Sequence, residues 1–231
     1  MTRPDPSQPL DLEGQRLQLL PELAAWHAAS RTLFIADLHL GKSATFRARG
    51  LPVPAGTTQD NLRRLAALVA ARGATRIVFL GDLLHSRHAQ QASVVEPVRA
   101  WRAAHAALQC VLVRGNHDAH AGDPPAALRF EVVDEPWPVA GAPGLVACHH
   151  PQRVASGTVL AGHWHPAVTL RGPARDVLRV PCFCHAQRML VLPAFGAFTG
   201  SSPDALPAGS VCYPVGEGRV VPGFRVGPEA R

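Results

Sequence analysis

The stretch that decides the fold reads RTLFIADLH over residues 31–39, an apolar run that stops at Asp37 and His39. The same pattern returns as RIVFLGD over residues 76–82 and as CVLVRGNHD over residues 110–118. Apolar runs of this length, bounded by polar residues, are typical of strands buried on both faces of a sheet. We therefore predict three such strands, each followed by polar side chains: Arg31–Ala36, Arg76–Leu80 and Cys110–Arg114.

Helical periodicity fills the two segments between these strands. Apolar residues recur at helical spacing in Thr58–Arg72, and Gly73 is a suitable residue to end that helix. A second helix is predicted over Val94–Leu108, with Pro97 best placed in the first turn, where a missing N–H costs least. This alternation predicts an α/β fold, in which sites form beyond the carboxyl ends of the strands.

The second half of the chain consists of short β-rich runs separated by Gly and Pro, which predicts mainly antiparallel strands. Two of these runs end in histidines, as HHP at residues 149–151 and as GHWH at residues 162–165. Residues 201–207 are the best candidate for a mobile loop. We predict a single domain over residues 1–231, with the motifs in residues 31–200 and a β-rich end over residues 205–228.

The composition limits the class of protein. The formal net charge is +6, and Lys42 is the only lysine among 23 basic residues. This basicity indicates either an Arg-rich codon bias or a phosphate-bearing partner such as nucleic acid. Five cysteines without a regular spacing argue against a disulfide-stabilised secreted fold. No apolar signal core and no run of about 18 apolar residues is found, so we expect a cytoplasmic protein that does not span a membrane.

Five short motifs carry the chemistry, each at a predicted strand end. In chain order they are Asp37-x-His39, Gly81-Asp82, Gly115-Asn116-His117-Asp118, His149-His150-Pro151 and Gly162-His163-x-His165. Each motif alone is weak, because a chain with 12 histidines produces such combinations by chance. All five in this order, each after a strand, indicate a common site.

The residue types suit a pair of metal ions. Carboxylate oxygen, imidazole nitrogen and an amide carbonyl form a ligand set for Mn, Fe or Zn, and thiolate is missing from the motifs. One carboxylate, such as Asp82, can bridge two ions about 3.5–4 Å apart, and such a pair holds the attacking and leaving oxygens of a displacement in line. The motifs therefore predict a two-metal hydrolytic site.

These motifs resemble the signature of the calcineurin-like metallophosphoesterases, D-x-H, G-D, G-N-H-[DE], H and G-H-x-H, over residues 37–165. The resemblance implies an α/β sandwich of two mixed β-sheets flanked by helices, with a dinuclear site. It implies that one metal is held by Asp37, His39, Asp82 and His165 and the other by Asp82, Asn116, His149 and His163.

The same resemblance implies catalytic roles beside the metals. His117 would contact the phosphate and act as a general acid, and Asp118 would orient His117 by a hydrogen bond. His149 is chosen as the ligand over the adjacent His150, because the first histidine of the matching His-x-Pro motif binds metal. His85 stands where many relatives carry Asp or Asn, and it is either a substrate contact or proton donor, or a solvated loop residue.

A narrower resemblance is carried by DLHLGKS at residues 37–43 with its continuation to residue 54, by GDLLHSR at residues 81–87, and by VLPAFGAFTG at residues 191–200. These stretches are similar to the bacterial ligase-associated DNA damage response endonucleases, which accompany a DNA ligase, a helicase and an exonuclease-like protein. This resemblance implies two divalent metals, Mn ahead of Fe, Zn or Ni. It also implies cleavage of single-stranded DNA in DNA repair, with that repair set as possible partners.

Three basic residues close to the ligand motifs, Lys42, Arg47 and Arg87, are predicted to contact substrate phosphate. Trp164, between two ligand histidines, is predicted to pack or to form a wall of the site, with base stacking as the alternative.

Phe195 and Phe198 are expected to pack in the core. Two other functions stay open, since the fold alone does not choose among them. One is a phosphodiesterase or phosphatase acting on a small nucleotide or a phosphoprotein. The other is a metal-free scaffold, against which the complete set of ligands argues.

Overall fold

Two mixed β-sheets pack face to face in the computed structural model, which describes residues 5–53, 56–172, 176–201 and 206–227. Helices cover the outer face of the first sheet. This arrangement confirms the predicted α/β sandwich of two mixed sheets flanked by helices. The single-domain boundaries stay a prediction, and most of the loop expected at residues 201–207 lies outside the described residues.

In the described residues, the strands of the first sheet follow one another in chain order. They are β1 Gln8–Leu12, β2 Gln15–Leu20, β3 Ala24–His27, β4 Thr32–Ile35, β5 Arg76–Leu80, β6 Gln109–Val113 and β7 Glu131–Val133. β1 to β4 pair antiparallel, and β4 to β7 pair parallel. The carboxyl ends of β4, β5 and β6 therefore lie at one edge of the sheet, as the sequence predicts.

The second sheet has the order β15-β14-β12-β13-β10-β9-β8, with β11 paired to β12 and β16 paired to β14. Its strands are β8 Trp137–Pro138, β9 Leu145–Ala147, β10 Thr158–Ala161, β11 Ala167–Arg171, β12 Val177–Ala186, β13 Met189–Val191, β14 Val211–Gly216, β15 Arg219–Val220 and β16 Phe224–Arg225. Most pairs are antiparallel as predicted, but β10 pairs parallel with both β9 and β13. Strands of three or four residues carry no sequence signal for the direction of their partner, so this feature was not predictable.

The helices of the described chain are α1 Lys42–Ala48, α2 Thr57–Arg72, α3 Ala92–Ala104 and α4 Asn116–Ala121, with 3-10 turns at Arg87–Gln90 and Ala126–Leu128. α2 matches its predicted range to within one residue. α3 begins two residues earlier than predicted and ends at Ala104, so Pro97 lies in its second turn and not in its first. α1 and α4 were not predicted, because six or seven residues are too few to show a helical period.

Successive side chains of the central strands point to opposite faces of the first sheet, and both faces are buried. This explains why the sequence of these strands is continuously apolar. In β4, Leu33 and Ile35 face the helices, whereas Phe34 and the following Ala36 face the second sheet. All four side chains are essentially buried. Each fully buried side chain of the size of Leu or Phe contributes about 1.5–3 kcal/mol. The strand ends, and the polar residues after them, are therefore fixed by burial on both faces.

The five cysteines are buried and free, in agreement with the absence of a disulfide framework. In the part of the chain that the structure describes, no helix has the length and apolar character needed to cross a membrane.

Candidate active site

Five chain turns at strand ends bring the predicted ligands to one edge of the sandwich. β4 leads to Asp37, β5 to Asp82 and β6 to Asn116, while β9 and β10 lead to the histidine segments at residues 149–150 and 163–165. Backbone hydrogen bonds join these turns, since Asp37 N donates to Gly81 O at 3.2 Å and Phe195 N donates to Ala36 O at 2.8 Å. Both sheets therefore contribute to a single site.

The backbone at this edge is unusual in its dihedral angles. Five predicted ligands have positive φ: Asp37 at 54°, His39 at 47°, Asp82 at 51°, His163 at 68° and His165 at 46°. Asp and His tolerate this region better than most residues, but it still costs energy and is concentrated at functional sites. The left-handed turns redirect each side chain from the sheet edge into the cluster.

The first ligand group consists of Asp37, His39 and His165. One donor atom from each lies within 4.8 Å of the others. Nε2 of His165 is 3.3 Å from Oδ1 of Asp37, and Nε2 of His39 is 3.7 Å from Oδ2 of Asp82. Nδ1 of His165 lies 2.9 Å from Gly200 O, so donation to that carbonyl leaves Nε2 free for a metal.

The second ligand group surrounds His149, whose side chain is fully buried. Its Nε2 lies 2.9 Å from Oδ1 of Asn116, 3.1 Å from Nδ1 of His163 and 3.5 Å from Oδ1 of Asp82. Nδ1 of His149 lies 3.0 Å from Leu80 O, which fixes the ring with Nε2 directed at the cluster. These four residues are the predicted second metal site.

Asp82 lies between the two groups and contacts both. One of its oxygens faces His39 and the other faces His149. The oxygen facing His149 also accepts a hydrogen bond from His117 N at 2.9 Å. Burial raises the pKa of Asp82, with the nearby His149 acting in the opposite direction. A buried carboxylate in this position is stabilised by cations on either side, which is the role of a bridging ligand.

Two buried atoms test whether the cluster fits metal ions. In the described chain, Oδ1 of Asp37 and Nε2 of His39 have no hydrogen-bond partner. Buried polar atoms in native proteins are nearly always satisfied, and unpaired ones require an explanation such as an ion. Both atoms belong to residues of the first ligand group, whose donor atoms lie within 4.8 Å of one another. The donor set and these two unpaired atoms therefore fit a bound divalent metal.

The protonation states of the histidines also suit metal binding. Burial, with Lys42 nearby, holds the pKa of His39 far below its usual value. Burial and neighbouring His149 lower the pKa of His163 in the same way. Burial acts to lower the pKa of His165 too, but the carboxylate of Asp37 outweighs it and raises that pKa. Neutral imidazole is the form that binds metal, so the site requires little proton release from His39 and His163.

His117 and His85 form a stacked pair beside the ligands. Their ring centroids are 5.0 Å apart with an interplanar angle of 21°. Nδ1 of His117 lies 2.8 Å from His85 O, and its Nε2 lies 4.0 Å from Oδ2 of Asp82. Burial, together with His117, Lys42 and Arg49, lowers the pKa of His85 to about 4, so its ring is neutral at pH 7.

The predicted hydrogen bond between the His117 ring and the Asp118 carboxylate is wrong, because Nδ1 of His117 lies 2.8 Å from His85 O. The Asp118 carboxylate instead accepts hydrogen bonds from Leu84 N at 2.9 Å, Gly115 N at 3.0 Å and Leu83 N at 3.3 Å. These amides belong to the turns that carry Asp82 and Asn116. Asp118 therefore holds two ligand turns together, and the carbonyl of His85 orients the ring of His117. Burial raises the pKa of Asp118 to about 6.

Glu135 is a positioning residue that the sequence analysis missed. Its carboxylate accepts hydrogen bonds from His149 N at 2.6 Å and His150 N at 2.8 Å, and it lies 2.6 Å from Nδ1 of His150. Burial acts to raise the pKa of Glu135, but the hydrogen bonds from His150 and His149 outweigh it and lower that pKa. No motif marks Glu135, because it acts on backbone amides.

The two adjacent histidines can be separated by substitution. His149→Ala is expected to lower activity by at least about 100-fold, because it removes a donor at the centre of the second group. His150→Ala is expected to cost at most about tenfold, because His150 contacts Glu135 and its side chain is 44 % exposed. Cleavage rates measured against metal concentration test this pair. Equal losses in both variants would contradict the choice of His149.

Gly81 fits the close approach of β5 to His149. Its φ is +79°, and a Cβ placed there would collide with the His149 ring. We expect Gly81→Ala to lower the free energy of unfolding by about 3 kcal/mol, from backbone strain and overpacking together. Gly14→Ala is the matched control, because Gly14 has a φ of +87° with open space around it and should lose about 1 kcal/mol. Denaturant unfolding measures both, and equal losses would contradict the clash.

The three residues that were predicted to contact phosphate lie in different surroundings. Burial lowers the pKa of the Lys42 ammonium. The nearby carboxylates of Asp37 and Asp82 act in the opposite direction, so Lys42 lies close to the ligand groups. Arg47 lines a separate cavity with Thr57, and its guanidinium lies 3.5 Å from Val53 O. Arg87 is exposed in its 3-10 turn. Lys42 is therefore adjacent to the ligand cluster, and the contacts of Arg47 and Arg87 with substrate stay predictions.

Two aromatic expectations have different outcomes. Trp164 packs against the apolar cluster on the second sheet around Val168 and Cys182, in line with the packing interpretation. Phe195 is fully buried, as predicted, and Arg64 stacks 4.3 Å from its ring centroid. The expectation for Phe198 is wrong, because it is 40 % exposed. Gly196 lies between the two phenylalanines and Gly200 follows them, and neither glycine indicates which ring faces solvent.

Fold and site together are those of a metal-dependent phosphoester hydrolase, with carboxylate, amide and imidazole donors gathered around one shared carboxylate. Comparison of the sequence with models of protein families identifies the family of hydrolases to which it belongs. Residues 30–166 match the calcineurin-like phosphoesterase model, and the chain belongs to this family. Members bind two divalent metals, and the His and Asp clusters described above are able to hold them.

Among solved structures, the chain is similar to the Pseudomonas putida nuclease MPE, with 40 % sequence identity and a TM-score of 0.82. The match covers 94 % of this chain and 100 % of that one, which is consistent with the ligase-associated endonuclease type. Yfce, a phosphoesterase from E. coli, is 17 % identical with a TM-score of 0.43, over 84 % of this chain and 98 % of that one. No curated protein matches the sequence.

Proposed function

We propose that this protein is a manganese-dependent phosphodiesterase that cuts single-stranded DNA internally. The observation that carries the proposal is the 40 % identity with a nuclease over nearly the whole chain. The arrangement of the predicted ligands around Asp82 supports the same chemistry. The native substrate is thus a phosphodiester flanked by nucleosides.

One set of residues would hold the metals, and a second set, His117 and Lys42, would stabilise the transition state. Asp37, His39 and His165 would hold one ion, Asn116, His149 and His163 the other, and Asp82 both. When bound, the ions supply charge stabilisation and an activated water. His117 is within reach of the bridging carboxylate and is held by His85 O, so its Nε2 is available to a phosphate oxygen. Lys42 adds a positive charge beside the same centre.

Manganese is favoured by the donor chemistry. The two groups combine carboxylate and amide oxygens with imidazole nitrogens, and none of the predicted ligands is a thiolate. Such mixed oxygen and nitrogen sets suit Mn, with Fe, Zn and Ni as the alternatives. The resemblance to the ligase-associated endonucleases supports a role in DNA repair in the cytoplasm, beside a ligase, a helicase and an exonuclease-like protein.

Circular single-stranded DNA provides the direct test. The purified protein with added manganese is expected to linearise the circle, which has no ends for an exonuclease, while Asn116→Ala leaves it intact. A small p-nitrophenyl phosphodiester serves as the second substrate. Cleavage of this diester without cleavage of DNA would contradict the nucleic-acid substrate and would favour a phosphodiesterase of small nucleotides. Failure on both substrates with every divalent metal would contradict the enzyme and favour the scaffold.

A further inference from the structure

An exposed phenylalanine lies at the end of an aromatic row that starts at the candidate active site. The ring of His85 stacks on His117, Phe46 lies 6.3 Å from His85, and Phe198 lies 5.9 Å from Phe46 in an edge-to-face contact. Phe46 is half-buried, whereas Phe198 is 40 % exposed. The row thus runs from the predicted phosphate contact outward to solvent.

The loop that carries Phe198 is fixed at several points. Phe195 N and Gly196 N donate to the carbonyls of Ala36 and Asp37, at 2.8 and 3.2 Å. Ala197 N donates to Oδ1 of Asn61, a buried residue of α2, at 3.1 Å. A Cβ at Gly196 would lie 2.5 Å from Leu38 O, so the loop packs directly on the ligand turn. The backbone that carries the exposed ring is therefore held in place before any ligand binds.

The other end of the loop is attached to the ligand set itself. Gly200 O lies 2.9 Å from Nδ1 of His165, which fixes the loop relative to the first ligand group. Positive charge lies on the helix that supports the ring, because α1 carries Lys42 and Arg47 as well as Phe46. An exposed aromatic ring with cations beside it is the combination that binds single-stranded nucleic acid, where bases stack on rings and phosphates contact the cations.

We infer that Phe198, supported edge-on by Phe46, is a stacking platform for a base next to the phosphodiester that is cut. This inference rests on the proposed nuclease function and specifies how the enzyme binds its DNA substrate. The platform accepts any base, since every base offers a π-face, and it requires the base to be unstacked from a partner. It therefore favours single strands over duplex DNA without selecting a sequence.

The test compares Phe198→Ala with wild type on two single-stranded oligomers with the same backbone. One is oligo-thymidine, and the other carries abasic sugars throughout. On thymidine, the variant is expected to raise KM by about tenfold with little change in kcat, from the loss of one stacked base. On the abasic strand the two proteins should have the same KM. Phe198→Trp is expected to keep the wild-type KM on thymidine.

Phe224→Ala is the matched control, because Phe224 is 41 % exposed on β16, and this strand pairs with β14, which leads to none of the ligand turns. An unchanged KM in Phe198→Ala on thymidine, with wild type cutting the strand, would overturn the platform and leave the nuclease proposal intact. An equal rise on both strands would overturn it as well, since the loss would then not involve a base. If wild type cuts only the p-nitrophenyl diester, the nuclease proposal and the platform both fail.

Discussion

Asp82→Asn is expected to lower kcat/KM for phosphodiester cleavage by about 10³-fold or more. The substitution keeps the size of the side chain and an oxygen that can accept from His117 N. It removes the negative charge that both ligand groups share. A loss of 10³ corresponds to about 4 kcal/mol of transition-state stabilisation, which is of the order that a metal ion supplies.

The measurement is the cleavage rate over a range of manganese concentrations, with bound metal determined in parallel. Asp60→Asn is the control, because Asp60 is an exposed residue of α2 that forms an ion pair with Arg63. The control should keep full activity and metal content. Asp82→Asn with wild-type activity at saturating manganese would show that Asp82 is not the shared ligand.

His117→Asn is expected to lower kcat on DNA by about 10²–10⁴-fold, the range for loss of a general acid or base. The effect should depend on the leaving group. An alkoxide leaving from DNA needs a proton, whereas p-nitrophenolate needs little help, so the same variant should lose much less activity on a p-nitrophenyl diester. Metal content should stay unchanged, because His117 is not one of the proposed ligands.

His88→Asn is the control for this variant, since His88 is exposed in the 3-10 turn at Arg87–Gln90. The measurement is the loss of rate in His117→Asn on DNA divided by its loss of rate on the p-nitrophenyl diester. An equal loss on DNA and on the p-nitrophenyl diester would contradict a general-acid role and would indicate that His117 only stabilises charge on the phosphate.

The sequence was sufficient for the parts of the molecule that depend on local pattern. The runs ending at Asp37, Asp82 and Asn116 are buried on both faces, so their length and apolar character alone identify them as strands. Parallel pairing then places their ends together. This pattern places Asp37, Asp82 and Asn116 at one edge. The full set of seven proposed ligands came from the resemblance to the calcineurin-like phosphoesterases, and the structure gathers all seven into one cluster.

Residues that act through the backbone were not predictable in the same way. Asp118 and Glu135 accept hydrogen bonds from amides of ligand turns, and Asn61 does so for the loop that carries Phe198. Such contacts join residues far apart in the chain and require no particular motif. The exposure of Phe198 next to the buried Phe195 likewise depends on how the loop packs against Leu38, which only the fold determines.

The most direct test of the central claim is the anomalous diffraction of crystals grown with manganese. Two manganese peaks are expected, one bounded by Asp37, His39, Asp82 and His165 and the other by Asp82, Asn116, His149 and His163. Asp82 would then contact both ions. A single peak at either group, or manganese bound at the His85 and His117 pair without Asp82, would contradict the two-metal site.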